Sequence, residues 1–339
     1  MGVIFARLCY LLLTAAFLPR RLSFPSERYP MKIFLSLLLC LCLGAPVAHA
    51  GDSTPQKTLV ATVFPVWLLL RQVALGVPDV SVDLLLPAGT GCPHDYAMTP
   101  ADRRKLARAD VLVMNGLGLE GFLGQESKTR ALLKPGASLV DAAHGLNELL
   151  ASEGSGHSHP GHAADSSANP HLFASPSMMA DMTRSIAAQL AEADPAHAEQ
   201  YRANGELTAA RLDALAGECA ATGKKLLHRN VIAQHSIFDY LARDIGITVE
   251  AKVQRHDGHE PSAREMLDLV RLIRGKNVAA VLTEPQYPSR TGQTLANETA
   301  IPCIMLDPVA NGPDDAPLDH YENVMRENLR TLEQALGTR

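Results

Sequence analysis

The sequence predicts an α/β protein of two lobes, each a mostly parallel sheet flanked by helices, joined by one long rigid helix. Three observations carry this expectation. Short apolar runs alternate with helical segments from Thr58 onward, which is the signature of βαβ units. The alternation gives way to a long helical stretch between residues 176 and 223 and then resumes. The chain has 339 residues, 47% of them apolar, enough for two cores at roughly 100–200 residues per domain.

In the first lobe, Leu59–Phe64 reads as a strand and Trp67 to Leu75 as the helix after it. Val80–Leu86 is a strand that ends in the loop Pro87-Ala88-Gly89-Thr90-Gly91. Thr99-Pro100 begins a helix, with a capping hydroxyl and proline at the first helical position. Val111–Met114 is the next strand, Leu119–Leu123 a short helix and Ser138–Ala142 a further strand. Residues 144–169 then break the pattern. Gly154 to His162 is rich in Gly, Ser and His, a composition that buries no core and reads as a surface loop.

From Pro176 to about Gly223 the chain reads as helix, interrupted near Asp194-Pro195. The later part, Ala198 to Thr222, would run roughly 35 Å at 1.5 Å per residue, long enough to connect two lobes. In the second lobe Val231–Ala233, Thr248–Val253, Val278–Leu282 and Cys303–Leu306 read as strands. Ser236–Asp244, Pro261–Lys276, Thr291–Ala300 and Tyr321–Leu336 read as helices. The expected organisation is a targeting region 1–50, a first lobe 51–175, a helical segment 176–223 and a second lobe 224–339.

The N-terminus reads as an export signal. Met31-Lys32 opens a charged region and is the expected true start, Ile33 to Ala45 is apolar, and Ala48-His49-Ala50 is an A-x-A cleavage site after Ala50. Leu39 and Leu41 precede Cys40 and Cys42 where a lipid-modified cysteine would want a small residue, so anchoring is not expected. Loss of residues 1–50 removes five of 31 basic and one of 36 acidic residues, leaving 26 against 35, a net charge of −9. An acidic chain with no basic stripe argues against nucleic acid and anionic membrane as partners. Cys92, Cys219 and Cys303 remain, an odd count that allows at most one disulfide.

His94, His171, His235 and Asp307 each sit in a turn after a predicted strand or just before a helix. Ligands of open α/β sheets bind outside the carboxyl ends of the strands, so two residues from each lobe would place a metal in the interlobe cleft. Three imidazoles and a carboxylate fill a tetrahedral zinc shell, leaving no position for a reactive water. That is the chemistry of a carrier. Each residue alone reads equally well as a cap, a surface group or a turn residue. His157, His159 and His162 form a second, weaker metal-capturing tract in the surface loop.

The surrounding words narrow the choice. Pro93-His94-Asp95-Tyr96, Gly116-Leu117-Gly118-Leu119-Glu120, Asn169-Pro170-His171-Leu172-Phe173 and His235-Ser236-Ile237-Phe238 occur in order. So do His259-Glu260-Pro261-Ser262, Thr283-Glu284-Pro285-Gln286-Tyr287 and Leu306-Asp307-Pro308. Together they resemble the metal-binding solute-binding proteins of ABC transporters, and most of all the periplasmic zinc-binding proteins of zinc-uptake systems. The resemblance implies a cleft metal held at His94, His171, His235 and Asp307, with Zn²⁺ as the transported ligand. It also implies a His-rich loop, a monomer in the periplasm, and delivery to a permease at the inner membrane. Phe173 stands where Trp is common in that family and Pro93 where some members carry Glu. Glu120, Glu260 and Glu284 read as caps or interlobe hydrogen-bonding groups, with His144, His256 and His259 as lesser candidates.

Zinc is expected over manganese or iron because imidazole suits zinc and manganese prefers more oxygen ligands. A zinc hydrolase would need an open position and a general base. No H-E-x-x-H word is present, so no enzyme activity is expected. A metal buffer or adhesin is the remaining rival.

Overall fold

Four short segments with apolar, β-branched centres form the first sheet: β1 (Lys57–Ala61), β2 (Val80–Leu84), β3 (Val111–Met114) and β4 (Ser138–Asp141). Their order is β2-β1-β3-β4 and every pair is parallel. A second sheet repeats the plan with β5 (Asn230–Ala233), β6 (Thr248–Lys252), β7 (Ala280–Thr283) and β8 (Cys303–Met305), in the order β6-β5-β7-β8 and again all parallel. The computed structural model describes residues 57–91, 93, 96–152, 168–254, 260–286 and 290–337. His94, Cys92, His157, His159, His162, His256, His259 and the export signal lie outside the described residues.

Helices cross between the parallel strands, and their starts follow local chemistry. α1 (Phe64–Val73) begins at Phe64 rather than Trp67, because Pro65 suits the first turn; the expected first strand is shortened accordingly. α2 (Pro100–Leu106) opens with a reciprocal capping box between Thr99 and Asp102. The expected helix at Leu119–Leu123 is only a 3₁₀ turn, Gly121–Leu123, and α3 (Glu126–Leu132) follows it. α4 (Pro176–Ala193) is capped by the Ser175 hydroxyl, and α5 (Ala198–Lys225) follows the break at Asp194-Pro195. α6 (Asp239–Ile245), α7 (Ala263–Gly275), α8 (Arg290–Thr299) and α9 (His320–Leu336) complete the second half. The Ser262–Glu265 capping box sets the start of α7 at Ala263, two residues after Pro261.

The 28-residue α5 is the long helix between the lobes. It packs against α1 and α4 of the first half and against α6 and α9 of the second. Two glycines permit the closest approaches: a Cβ at Gly205 would strike Ala187 of α4, and one at Gly223 would strike the carbonyl of Ile245 at the end of α6. One continuous apolar core runs from Leu59 through Leu212 and Phe238 to Leu336. A smaller core, Ile232, Val253, Ile273, Val281 and Leu295, lies beneath α7 and α8. Among the described residues no helix is long and apolar enough to cross a membrane. Cys219 and Cys303 are both free thiols, and burial pushes that of Cys219 up to about 12.

Candidate metal centre

The strand order makes each sheet reverse its winding once, between β1 and β3 and again between β5 and β7. Open α/β sheets bind ligands beyond the strand ends at such a reversal. In the second sheet Ala233 pairs with Leu282. His235 and Glu284 each lie two residues further on, so they leave neighbouring strands at the same level and on the same face. The Nδ1 atom of His235 lies 2.7 Å from Oε1 of Glu284, and both side chains are buried. A carboxylate opposite Nδ1 favours the tautomer with its proton there and the lone pair on Nε2, the state that ligates a metal.

At the corresponding place in the first sheet, Ala61 pairs with Val113. Glu120 folds back there: its carboxylate accepts from the Thr62 hydroxyl at 2.7 Å and from the backbone N–H groups of Asn115 at 2.6 Å and Gly116 at 3.3 Å. Burial pushes its pKa up, and these donors pull it partly back. Asn115 in turn donates from Nδ2 to the carbonyl of Pro170 at 3.0 Å, tethering the segment that carries His171.

His171 is 2% exposed. Oδ1 of Asn169 accepts from its backbone N–H at 3.0 Å and lies 2.9 Å from its Nδ1. Nδ2 of Asn169 donates to the Ser236 carbonyl at 2.7 Å and to the Asp239 carboxylate at 3.2 Å. Two acceptors on that side fix the amide orientation. Oδ1 can only accept, so Nδ1 of His171 is the donor and its lone pair too is on Nε2. The His171 and His235 rings approach edge to face, with centroids 5.3 Å apart and planes at 81°. Phe173 sits edge-on to His171 at 5.9 Å.

The fold thus brings together two of the four expected ligands, which are 64 residues apart in the chain. Asp307, just after β8, is half-buried; its carboxylate accepts from the Val309 N–H at 2.8 Å, and burial raises its pKa. Among the described residues no three His, Cys, Asp or Glu side chains form a group that could hold a metal ion, so Asp307 is not gathered with the two histidines. His94 and the loop histidines His157, His159 and His162 fall outside the described residues. Asn169 and Glu284 are the residues whose part sequence reasoning understated. Both stand within the quoted words, but the contacts of Asn169 to Ser236 and of Glu284 to His235 span 67 and 49 residues.

The family model for the periplasmic component A of zinc-uptake complexes matches residues 59–335. The chain is 28% identical to the high-affinity zinc uptake system protein ZnuA of Bacillus subtilis over 313 residues, covering 88% of this chain and 94% of that one. Among solved structures, a ZnuA deletion mutant with zinc bound superposes with a TM-score of 0.66 at 26% identity, covering 84% and 99% of the two chains. The SBP FpvC from Pseudomonas aeruginosa, in complex with Mn²⁺, does so with a TM-score of 0.68 at 27% identity, covering 83% and 98%. The chain belongs to the family of periplasmic zinc-uptake component A proteins.

Proposed function

We propose that this protein captures a zinc ion between its two halves and delivers it to the membrane permease of an ABC-type zinc importer. It works in the periplasm as a monomer, after removal of the export signal. The observation that carries this reading is the meeting of the His171 and His235 imidazoles beyond the strand ends, each with Nδ1 against an oxygen. Two imidazoles held this way suit zinc, whereas manganese prefers a shell richer in oxygen. With metal bound, His94 and Asp307 supply the third and fourth ligands. Zinc here is cargo: four protein ligands leave no open position for an activated water, so the site binds and releases without chemistry. His157, His159 and His162 form an accessory site that is weaker because binding there must order the chain.

Titration of metal-free protein with zinc against a competing chelator tests this. The expected result is one tight site per chain, plus weaker binding that disappears when residues 154–162 are deleted. Absence of a tight site would overturn the proposal, and loss of tight binding on deleting the loop would replace one of the four ligands.

A further inference from the structure

Resting on the proposed zinc site, we infer that Asn169 is a positioning residue that sets the spacing of His171 and His235 and thereby the preference for zinc over manganese. The two ligands come from different halves of the chain and share no backbone link shorter than the 64 residues between them. Asn169 bridges them through a single planar amide. Its Oδ1 holds both the backbone N–H and the ring Nδ1 of His171, and its Nδ2 holds the carbonyl of Ser236, the residue next to His235.

The rest of Asn169 is fixed as firmly. It is fully buried. Its N–H donates to the Leu150 carbonyl at 2.8 Å, and its carbonyl accepts from the Tyr240 hydroxyl at 2.9 Å. Asp239, the second acceptor for Nδ2, is itself paired with Lys252 of β6 at 2.9 Å. To change the spacing of the two imidazoles, a hydrogen bond made out of water must break, and a buried polar group left unmade is costly.

Only an amide satisfies both ends. Aspartate at 169 would still accept from His171 but would set a carboxylate against the Ser236 carbonyl and the Asp239 carboxylate. An aliphatic side chain would hold neither end. Zinc has short bonds to nitrogen and a tetrahedral shell, and it depends on two imidazoles kept close. Manganese takes a larger shell with more oxygens and gains less from that spacing. Removing the bridge therefore costs zinc more than manganese.

The test measures zinc and manganese affinity by chelator competition, with the visible d–d spectrum of the Co²⁺-loaded protein. The proteins are wild type, Asn169→Ala, Asn169→Asp, Tyr240→Phe and His171→Ala. Asn169→Ala should weaken zinc by 10–100-fold, the range for a residue that orients a metal ligand. It should weaken manganese less, so that the zinc-to-manganese ratio falls about tenfold. It should also reduce the tetrahedral Co²⁺ bands. Asn169→Asp, which keeps the contact to His171 but loses the one to Ser236, should lower the ratio in the same direction. Tyr240→Phe removes the bond to the Asn169 backbone carbonyl but leaves both ends of the side-chain bridge in place, and should keep the ratio within about threefold of wild type even where its melting temperature falls.

The inference is overturned if both Asn169 variants keep the wild-type zinc-to-manganese ratio, or if zinc affinity follows melting temperature alike in the Asn169 and Tyr240 variants. His171→Ala separates the two readings. If it also binds zinc like wild type, the zinc site itself is wrong. If it loses zinc while the Asn169 variants do not, only the positioning role fails.

Discussion

Beyond β3 the carboxylate of Glu120 turns back onto its own loop, while beyond β7 that of Glu284 turns outward onto an imidazole. The two sheets have one strand order and one reversal each, so the backbone offers the same place twice. In the first sheet three donors engage Glu120 and the place is closed. In the second Glu284 has a ring nitrogen before it and becomes support for a ligand. A topological position supplies location only, and the side chains around it decide whether it becomes structure or site.

The largest effect that would break this contrast is on zinc itself. His171→Ala or His235→Ala should each lower zinc affinity a hundredfold or more, about 2.8 kcal/mol at 1.4 kcal/mol per decade. The melting temperature of the metal-free protein should shift little. Glu120→Ala should do the reverse. It leaves the Thr62 hydroxyl and two backbone N–H groups without their acceptor, and buried donors so stranded cost about 1–3 kcal/mol. Urea melts of metal-free protein should show a loss near 2 kcal/mol, with zinc affinity within about threefold. A large zinc defect from Glu120→Ala would mean that the first switch point is part of the site after all.

Glu284→Gln sharpens the comparison from the other side. It keeps an oxygen for Nδ1 of His235 but removes the charge, so zinc affinity should fall about tenfold, the low end for such supports, with stability nearly unchanged. The smallest effect is expected far from both places, at Asp194. Burial pushes its pKa up, but Lys57, His197 and Tyr201 more than offset this and the carboxyl ends below its usual value. A depressed folded pKa gives stability above the ordinary carboxylate value of about 3.9 that is lost as pH falls through the folded one. Asp194→Asn should therefore cost about 1 kcal/mol in urea melts at pH 7. That difference should shrink as the pH is lowered below about 3.9.

Strands and caps were legible because their signals are local. Thr99-Pro100 marks a helix start by a side chain within three residues of the backbone it caps, whereas the start of α7 was read two residues early, at Pro261 instead of after the Ser262 cap. α3 was not legible: its segment ESKTRAL has a single buried residue, Thr129, and so no apolar period to detect. Of the site, His171 and His235 could be named from their words, but the side chains set against their Nδ1 atoms could not. Asn169 reaches Ser236 and Asp239 only once the two halves are packed, and Glu284 reaches His235 only once β5 and β7 pair. Asp307 too was named as a ligand from its word; its carboxylate accepts from the Val309 N–H within its own turn.

The apolar core that passes without a break from Leu59 to Leu336 ties the fate of the whole chain to its cargo. Most of the hydrophobic interior is common to both halves, and only the smaller core of Ile232, Val253, Ile273, Val281 and Leu295 belongs to the second alone, so unfolding one half strips the cover from the other. A ligand bound only by the folded form then protects every peptide bond at once, by about 2.7 kcal/mol when free metal stands at a hundred times its dissociation constant. In a proteolytic compartment the loaded carrier outlives the empty one, and the lifetime of the protein becomes a record of how much metal has reached it.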